Sequence, residues 1–272
     1  MEKINIDLNS PIGIFDSGLG GLTVLKSLVK ILPNESFIYF GDTAHLPYGN
    51  KSVDTITKYS NNILKFFNNN QTKAVVIACN TASSLTYNIL QKKYTIPLFD
   101  VVSPSVEFSI QESQTKKIGV IGTTNTINSK AYSKYFNKEN KDFIIFEKDC
   151  PLFVPIIEEG WSNTQIAKQI AQKYLGVFKN KNIDTLILGC THYPIMAKTI
   201  KSVLNPNIKL VFSGETVGNK LFNYLNKNKL CAKANKNPTI KFYVSDFPQK
   251  FEKLGRQFFG EKLNKVQSIS FD

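Results

Sequence analysis

Short runs of residues with no polar face decide the architecture of this chain. Around Ile12, Ala74, Ile118 and Leu186, four or five consecutive residues are apolar or glycine. Such a run is too short for a helix and lacks the alternation of a strand with one wet face. It is the pattern of a strand covered on both sides by helices, as in a parallel sheet. Apolar runs predict strands at Ile12–Phe15, Phe37–Phe40, Ala74–Ala78, Leu98–Val101, Ile118–Ile121, Phe143–Phe146, Leu186–Leu188 and Leu210–Phe212. Segments of helical period lie between them. Ser52–Phe67 places Val53, Ile56, Tyr59, Ile63 and Phe67 on one stripe, and Asn163–Phe178 does the same with Ile166, Ile170, Tyr174 and Val177; both stripes are read as core faces. The fold class is therefore α/β, doubly wound, with mainly parallel sheets.

A faint internal repeat divides the chain. Ile12-Gly13-Ile14-Phe15 is echoed by Ile118-Gly119-Val120-Ile121, and each run enters a turn rich in Gly, Ser or Thr: DSGLGG at Asp16–Gly21 and GTTNT at Gly122–Thr126. Two cysteines repeat with nearly the same offset. Cys79 follows Ala74-Val75-Val76-Ile77-Ala78 and precedes Asn80-Thr81, while Cys190 follows Leu186-Ile187-Leu188-Gly189 and precedes Thr191-His192. The bland explanation is that apolar strands ending in small residues are common. Duplication accounts for more. It predicts two similar lobes related by a pseudo-twofold, residues 1–103 with 214–272 and residues 104–213, with crossings near Ser103–Ser105 and Ser213–Gly214. Open α/β sheets bind ligands beyond the carboxyl ends of their strands, so both cysteines are expected at a cleft between the lobes.

Composition removes several classes of function. No apolar run approaches the ~20 residues of a membrane-spanning helix, and the opening MEKINIDLNS has no basic-then-apolar export pattern, so a cytoplasmic protein is expected. In that compartment the four cysteines are expected as free thiols, and no pair has CxxC spacing. With only two histidines, His45 and His192, a zinc cluster is hard to assemble. Cys190 and His192 would supply two metal ligands at most, and a histidine that serves the thiol is the stronger reading. The net charge of +13 raises nucleic-acid binding, but the basic residues are scattered among asparagines and form no stripe or arm. Nucleic acid is not an expected partner, and neither is a membrane.

The turns carry the chemistry. A dinucleotide fingerprint on DSGLGG would need glycine where Thr23 stands. Backbone N–H groups of such a turn suit a carboxylate as well as a phosphate. Asp16 adds negative charge there, which fits a neighbouring ammonium group or a proton acceptor; the plainer reading is a helix cap. A lone buried cysteine is usually inert packing, and Cys150 and Cys231 are read that way. Cys79 and Cys190 differ because a helix start favours a thiolate. His192 beside Cys190 can stabilise that thiolate or exchange its proton.

DSGLGG, GDTAHLPYG (Gly41–Gly49), ACNTASS (Ala78–Ser84), CPLFVPIIEEG (Cys150–Gly160) and LGCTHYP (Leu188–Pro194), followed by GET (Gly214–Thr216), resemble in order the motif series of bacterial glutamate racemases. These belong to the cofactor-independent aspartate/glutamate racemase superfamily. One departure is His45, where that family often has arginine. The resemblance implies an isomerase that interconverts L- and D-glutamate by two-base proton transfer, without cofactor or metal, and supplies D-glutamate for peptidoglycan. It implies that Cys79 acts on the D-enantiomer and Cys190 on the L-enantiomer, with Asp16 by the first thiol and Glu158 and His192 by the second. Implied substrate contacts are Asp16, Ser17, Tyr48, Gly49, Asn80, Thr81, Thr191 and His192, with Thr123 and Thr126 at a carboxylate. Members of the family dimerise in different ways, so a homodimer is implied as well, though no segment reads as its interface. Two rivals stay open on sequence alone: an aspartate racemase on the same scaffold, and a two-lobed protein that binds an amino acid without transforming it.

Overall fold

The computed structural model describes residues 7–233, 237–263 and 265–271. The first six residues of the segment read for export signals lie outside the described residues. Strands and helices alternate: β1 (Ile12–Asp16), β2 (Phe37–Gly41), β3 (Ala74–Ile77), β4 (Leu98–Phe99), β5 (Lys117–Gly122), β6 (Ile144–Asp149), β7 (Thr185–Gly189), β8 (Lys209–Phe212), β9 (Ile240–Val244) and β10 (Gln267–Ser268). They form a six-stranded sheet in the order β10-β9-β2-β1-β3-β4 and a four-stranded sheet in the order β6-β5-β7-β8. Every pairing is parallel. The order β2-β1-β3-β4 is repeated by β6-β5-β7-β8, so β1 corresponds to β5 and β3 to β7. Each sheet thus reverses its winding between two adjacent central strands, which is where a doubly wound sheet opens a crevice.

The helices are α1 (Gly21–Ile31), α2 (Val53–Asn69), α3 (Asn80–Lys93), α4 (Val102–Glu112), α5 (Thr124–Asn128), α6 (Ala131–Glu139), α7 (Phe153–Glu158), α8 (Gln165–Leu175), α9 (Ala197–Ser202), α10 (Ser213–Lys227) and α11 (Pro248–Phe259). Alternate residues of β1 serve different layers. Ile12 and Ile14 pack with Leu22, Leu25 and Leu28 of α1, whereas Phe15 packs with Ile63 and Phe67 of α2. The layer under α1 and α10 is continuous with the core of the smaller sheet, running from Ile14 and Leu221 to Leu188, Tyr193 and Met196. The two sheets are therefore welded by a shared apolar interior rather than joined by a linker.

The α/β class with parallel sheets holds, and the structure corrects several local expectations. β4 stops at Phe99, because the Asp100 carboxylate accepts the N–H groups of Val102 and Ser103 (2.7 and 2.6 Å) and starts α4 instead of extending the strand. β6 runs Ile144–Asp149, later than Phe143–Phe146. β9 and β10 were not anticipated. The three helix positions Val53, Ile166 and Val177 are exposed, not core. In α8 the buried positions are Ala167, Ala171 and Leu175, spaced by four. Small side chains there let the helix lie close to the sheet, which pushes the larger Ile166 to the flank. No helix among the described residues is long and apolar enough to cross a membrane.

Candidate active site

The carboxyl ends of β1 and β3 face those of β5 and β7 across a cavity of about 590 Å³. Ser17, Tyr48, Gly49, Cys79, Asn80 and Thr81 line it from the larger sheet, and Thr123, Glu158, Cys190, Thr191 and His192 from the smaller one. Both cysteines expected to meet at a cleft thus open into one chamber, and each thiol is almost wholly buried.

Cys79 ends β3 and caps α3. Its Sγ accepts the Ala82 N–H at 3.5 Å and donates towards Ser17 Oγ at 3.7 Å. The helix start does favour a thiolate, but it is outweighed. Burial, followed by the charge of Asp16, pushes the Cys79 thiol up to about 12 despite the Ala82 and Ser17 contacts. Cys190 is itself among the groups that raise Cys79. Asp16 is fully buried one layer behind the cavity wall. Its carboxylate accepts the Gly18 N–H (3.0 Å) and the Thr191 hydroxyl (3.3 Å). Burial raises its pKa, while His192 and these hydrogen bonds pull the other way. Asp16 therefore both ties the turn into α1 and reaches across to the other lobe.

On the opposite side, His192 Nε2 lies 3.0 Å from Glu158 Oε1. Burial works against a charged imidazole, but hydrogen bonds to Cys190 and Glu158 prevail and raise His192 to about 10. The bond to His192 in turn holds Glu158 below the usual carboxylate range. Glu158 faces the cavity and its neighbour Glu159 faces solvent. The approach of the lobes depends on Gly20: a Cβ there would stand 2.2 Å from Thr191 Oγ1 and 2.4 Å from His192 Nδ1.

Three hydroxyls meet across the lobes, with Thr81 Oγ1 2.8 Å from Thr123 Oγ1 and 3.2 Å from Thr126 Oγ1, and the latter two 2.9 Å apart. Thr126 supports this patch from behind and does not line the cavity. Asn80 Nδ2 donates to Tyr132 OH (2.9 Å) and Ser213 Oγ (3.3 Å), which leaves its buried Oδ1 without a partner among the described residues. The Tyr48 hydroxyl is taken by Asp42 at 2.5 Å, so it is not free for a ligand. His45, the departure noted in the sequence, stays off the cavity. It bonds Asp42 through Nδ1 (2.7 Å) and stacks on Tyr59 at 3.8 Å.

Sequence reasoning missed an apolar wall of Leu46, Pro47, Pro151, Val154 and Pro155, and the polar Asn50, Thr124 and Asn125. Most of these lie inside or beside the motif segments, but nothing in a proline or valine marks it as cavity lining before the chain is folded. The arrangement offers a cavity with a thiol on two sides, a carboxyl behind the first and a histidine–glutamate pair beside the second. That is a set for moving protons to and from two faces of one small molecule.

The family model described as Asp/Glu/Hydantoin racemase matches residues 12–215. The glutamate racemase of Chlorobaculum tepidum is 42% identical over 270 residues, covering 99% of each chain. A crystal structure of the glutamate racemase of Francisella tularensis in complex with D-glutamate superposes with a TM-score of 0.90 at 41% identity, covering 97% of this chain and 98% of that one. An aspartate racemase of Picrophilus torridus shares the fold alone, with a TM-score of 0.59 at 18% identity over 81% of this chain and 98% of its own. With the match running through both halves of the cavity, the chain belongs to the Asp/Glu/hydantoin racemase family.

Proposed function

We propose that the protein is a glutamate racemase, and that it works by two-cysteine proton transfer. The observation that carries this reading is the pair of thiols at equivalent strand tips of two like-wound sheets, opening into one cavity. From D-glutamate, the Cys79 thiolate takes the α-proton and the Cys190 thiol delivers its own proton to the opposite face. The enzyme is left as Cys79 thiol and Cys190 thiolate, ready for L-glutamate. Asp16 serves as proton acceptor or ammonium partner on the Cys79 side, and the His192–Glu158 pair holds the proton supply on the Cys190 side. Asn80 and Asp16 lie nearest the ammonium, and Ser17, the Tyr48-Gly49 backbone, Thr81, Thr123 and Thr191 receive the carboxylates, with Thr126 behind them. Fixed dipoles around the bound substrate stabilise the developing carbanion better than freely turning solvent does.

The high pKa of Cys79 has a consequence for timing. In the empty cavity the thiol keeps its proton. A substrate ammonium beside it reverses the local field, so deprotonation of Cys79 is coupled to binding. In this reading, residues 1–103 with 214–272 form the lobe of Asp16 and Cys79 and residues 104–213 that of Glu158, Cys190 and His192, a division supported by strand membership of the two sheets. The product serves peptidoglycan synthesis, the enzyme works in the cytoplasm, and the family habit of dimerising extends to this chain.

Turnover of L-Glu, D-Glu and L-Asp in deuterated buffer, followed by polarimetry and by loss of the α-hydrogen signal, tests the assignment. Inversion of glutamate is expected. Cys79→Ser and Cys190→Ser should each lower racemisation by about 10²–10⁴-fold, the weight of one general acid or base. Wild-type racemisation by Cys79→Ala would sink the mechanism, exchange with aspartate alone would sink the substrate, and binding without turnover would make the protein a non-catalytic receptor.

A further inference from the structure

Cys79 and Cys190 are only 5% and 6% exposed and line the cavity, so the wall around them governs how readily a substrate reaches them. The lobes share a continuous apolar core, and wholesale separation would expose it. One stretch of wall is built differently. The stretch Leu46–Lys51 lines the cavity from Leu46 to Asn50, with Tyr48 buried, Gly49 half-buried, and Leu46, Pro47 and Asn50 also exposed at the rim. Its base is fastened within its own lobe: Tyr48 bonds Asp42, which also accepts the Ser245 hydroxyl at 2.8 Å. Its free side is fastened to the other lobe by one residue. Asn125, on α5, donates from Nδ2 to Tyr48 O (3.1 Å) and to Lys51 O (2.9 Å). Among the described residues these are the only side-chain hydrogen bonds from Leu46–Lys51 to the lobe of the smaller sheet.

We infer that Asn125 is the bolt of the cavity, a positioning residue that closes the Tyr48–Lys51 backbone over the bound substrate and sets how readily it enters and leaves. The chemistry of the amide suits the task, because its two hydrogens match two carbonyls. A carboxylate of the same shape has no hydrogen to give and would turn both contacts repulsive. Lys51 N also donates to Tyr48 O at 3.2 Å, so losing Asn125 frees the turn without leaving that carbonyl orphaned. The role in turnover rests on the racemase reading, but closure can be measured without turnover.

The test compares Asn125→Ala and Asn125→Asp with the parent in two assays. In the first, the folded, ligand-free protein is treated with iodoacetamide and alkylation is followed cysteine by cysteine by peptide mass spectrometry. Cys79 and Cys190 should react about fivefold faster in Asn125→Ala and faster still in Asn125→Asp, the weight of one or two modest hydrogen bonds. Cys150, fully buried outside the cavity, should not change. In the second, KM for glutamate should rise about fivefold with no fall in kcat. Acceleration at Cys150 equal to that at the other two would mean general loosening and overturn the proposal, as would unchanged thiols or a fall in kcat at constant KM. If the parent does not act on glutamate, the racemase reading fails and the alkylation pattern still decides the bolt.

Discussion

Replacing Gly20 with alanine separates site geometry from fold stability. The backbone there is ordinary helix (φ −57°, ψ −38°), so alanine meets no dihedral penalty. It gains the usual ~0.4–1 kcal/mol from a stiffer unfolded chain. Against this, its Cβ would stand 2.2 Å from Thr191 Oγ1, 2.4 Å from His192 Nδ1 and 2.7 Å from His192 Cε1, where ordinary contact begins at 3.4 Å. The neighbours must retreat by about 1 Å, an overpacking that costs about 1–3 kcal/mol. The net change in folding free energy is therefore small, about 0–2.5 kcal/mol destabilising. The groups that retreat are the ones bonded to Asp16 and Glu158. A misplacement of that size at reacting groups costs about 10²-fold in rate. Enantiomers have equal free energy in water, so kcat/KM must fall equally from L- and D-glutamate. The assay is racemisation followed by circular dichroism from each enantiomer, beside urea unfolding. Activity within twofold of the parent in a variant of parental stability would refute the reasoning, because the lobes would then not meet at Gly20 in the working enzyme.

Asp16→Asn removes a like charge beside Cys79. Iodoacetamide should modify Cys79 faster at pH 8 while racemisation falls; slower modification would show that Asp16 does not oppose the thiolate. His192 has a folded pKa of about 10 against 6.5 for a free histidine, so its contribution to stability is complete below pH 6.5 and is lost as pH rises towards 10. The stability difference between the parent and His192→Gln, measured by urea unfolding at pH 6 and pH 9.5, should shrink at the higher pH, and a difference that grows would contradict the assignment.

The readable parts of this protein are those whose residue types carry the signal. β1, β3, β5 and β7 are apolar on both faces, and that alone announces a parallel sheet. Cys79, Cys190, Asp16 and His192 stood out because thiols, a carboxylate and an imidazole at strand tips have few other uses. β10 was illegible because Gln267–Ser268 is a two-residue exposed edge with no apolar pattern. β9 was obscured because Lys241 interrupts Ile240–Val244 and the lysine-rich chain around it hides a short strand. The exposure of Ile166 was hidden for another reason: alanines claim the sheet side of α8 only once the helix is docked. The pKa of Cys79 could not be read either, since the helix start is a local feature and burial is a tertiary one. Gly20 and Asn125 owe their roles wholly to the meeting of distant segments.

The partner strand of β2 constrains how the protein is made. Phe37–Gly41 is buried throughout and pairs on one side with β1 and on the other with β9. As the chain leaves the ribosome, that second edge stays open until Ile240–Val244 is synthesised, roughly 200 residues later, or about 10–40 s at bacterial and eukaryotic elongation speeds. During that interval the nascent protein presents an aromatic, uncharged strand border, the kind that templates aggregation. Truncation before residue 240 leaves that border open for good and should lower the soluble yield, because the sheet is completed by its last strands.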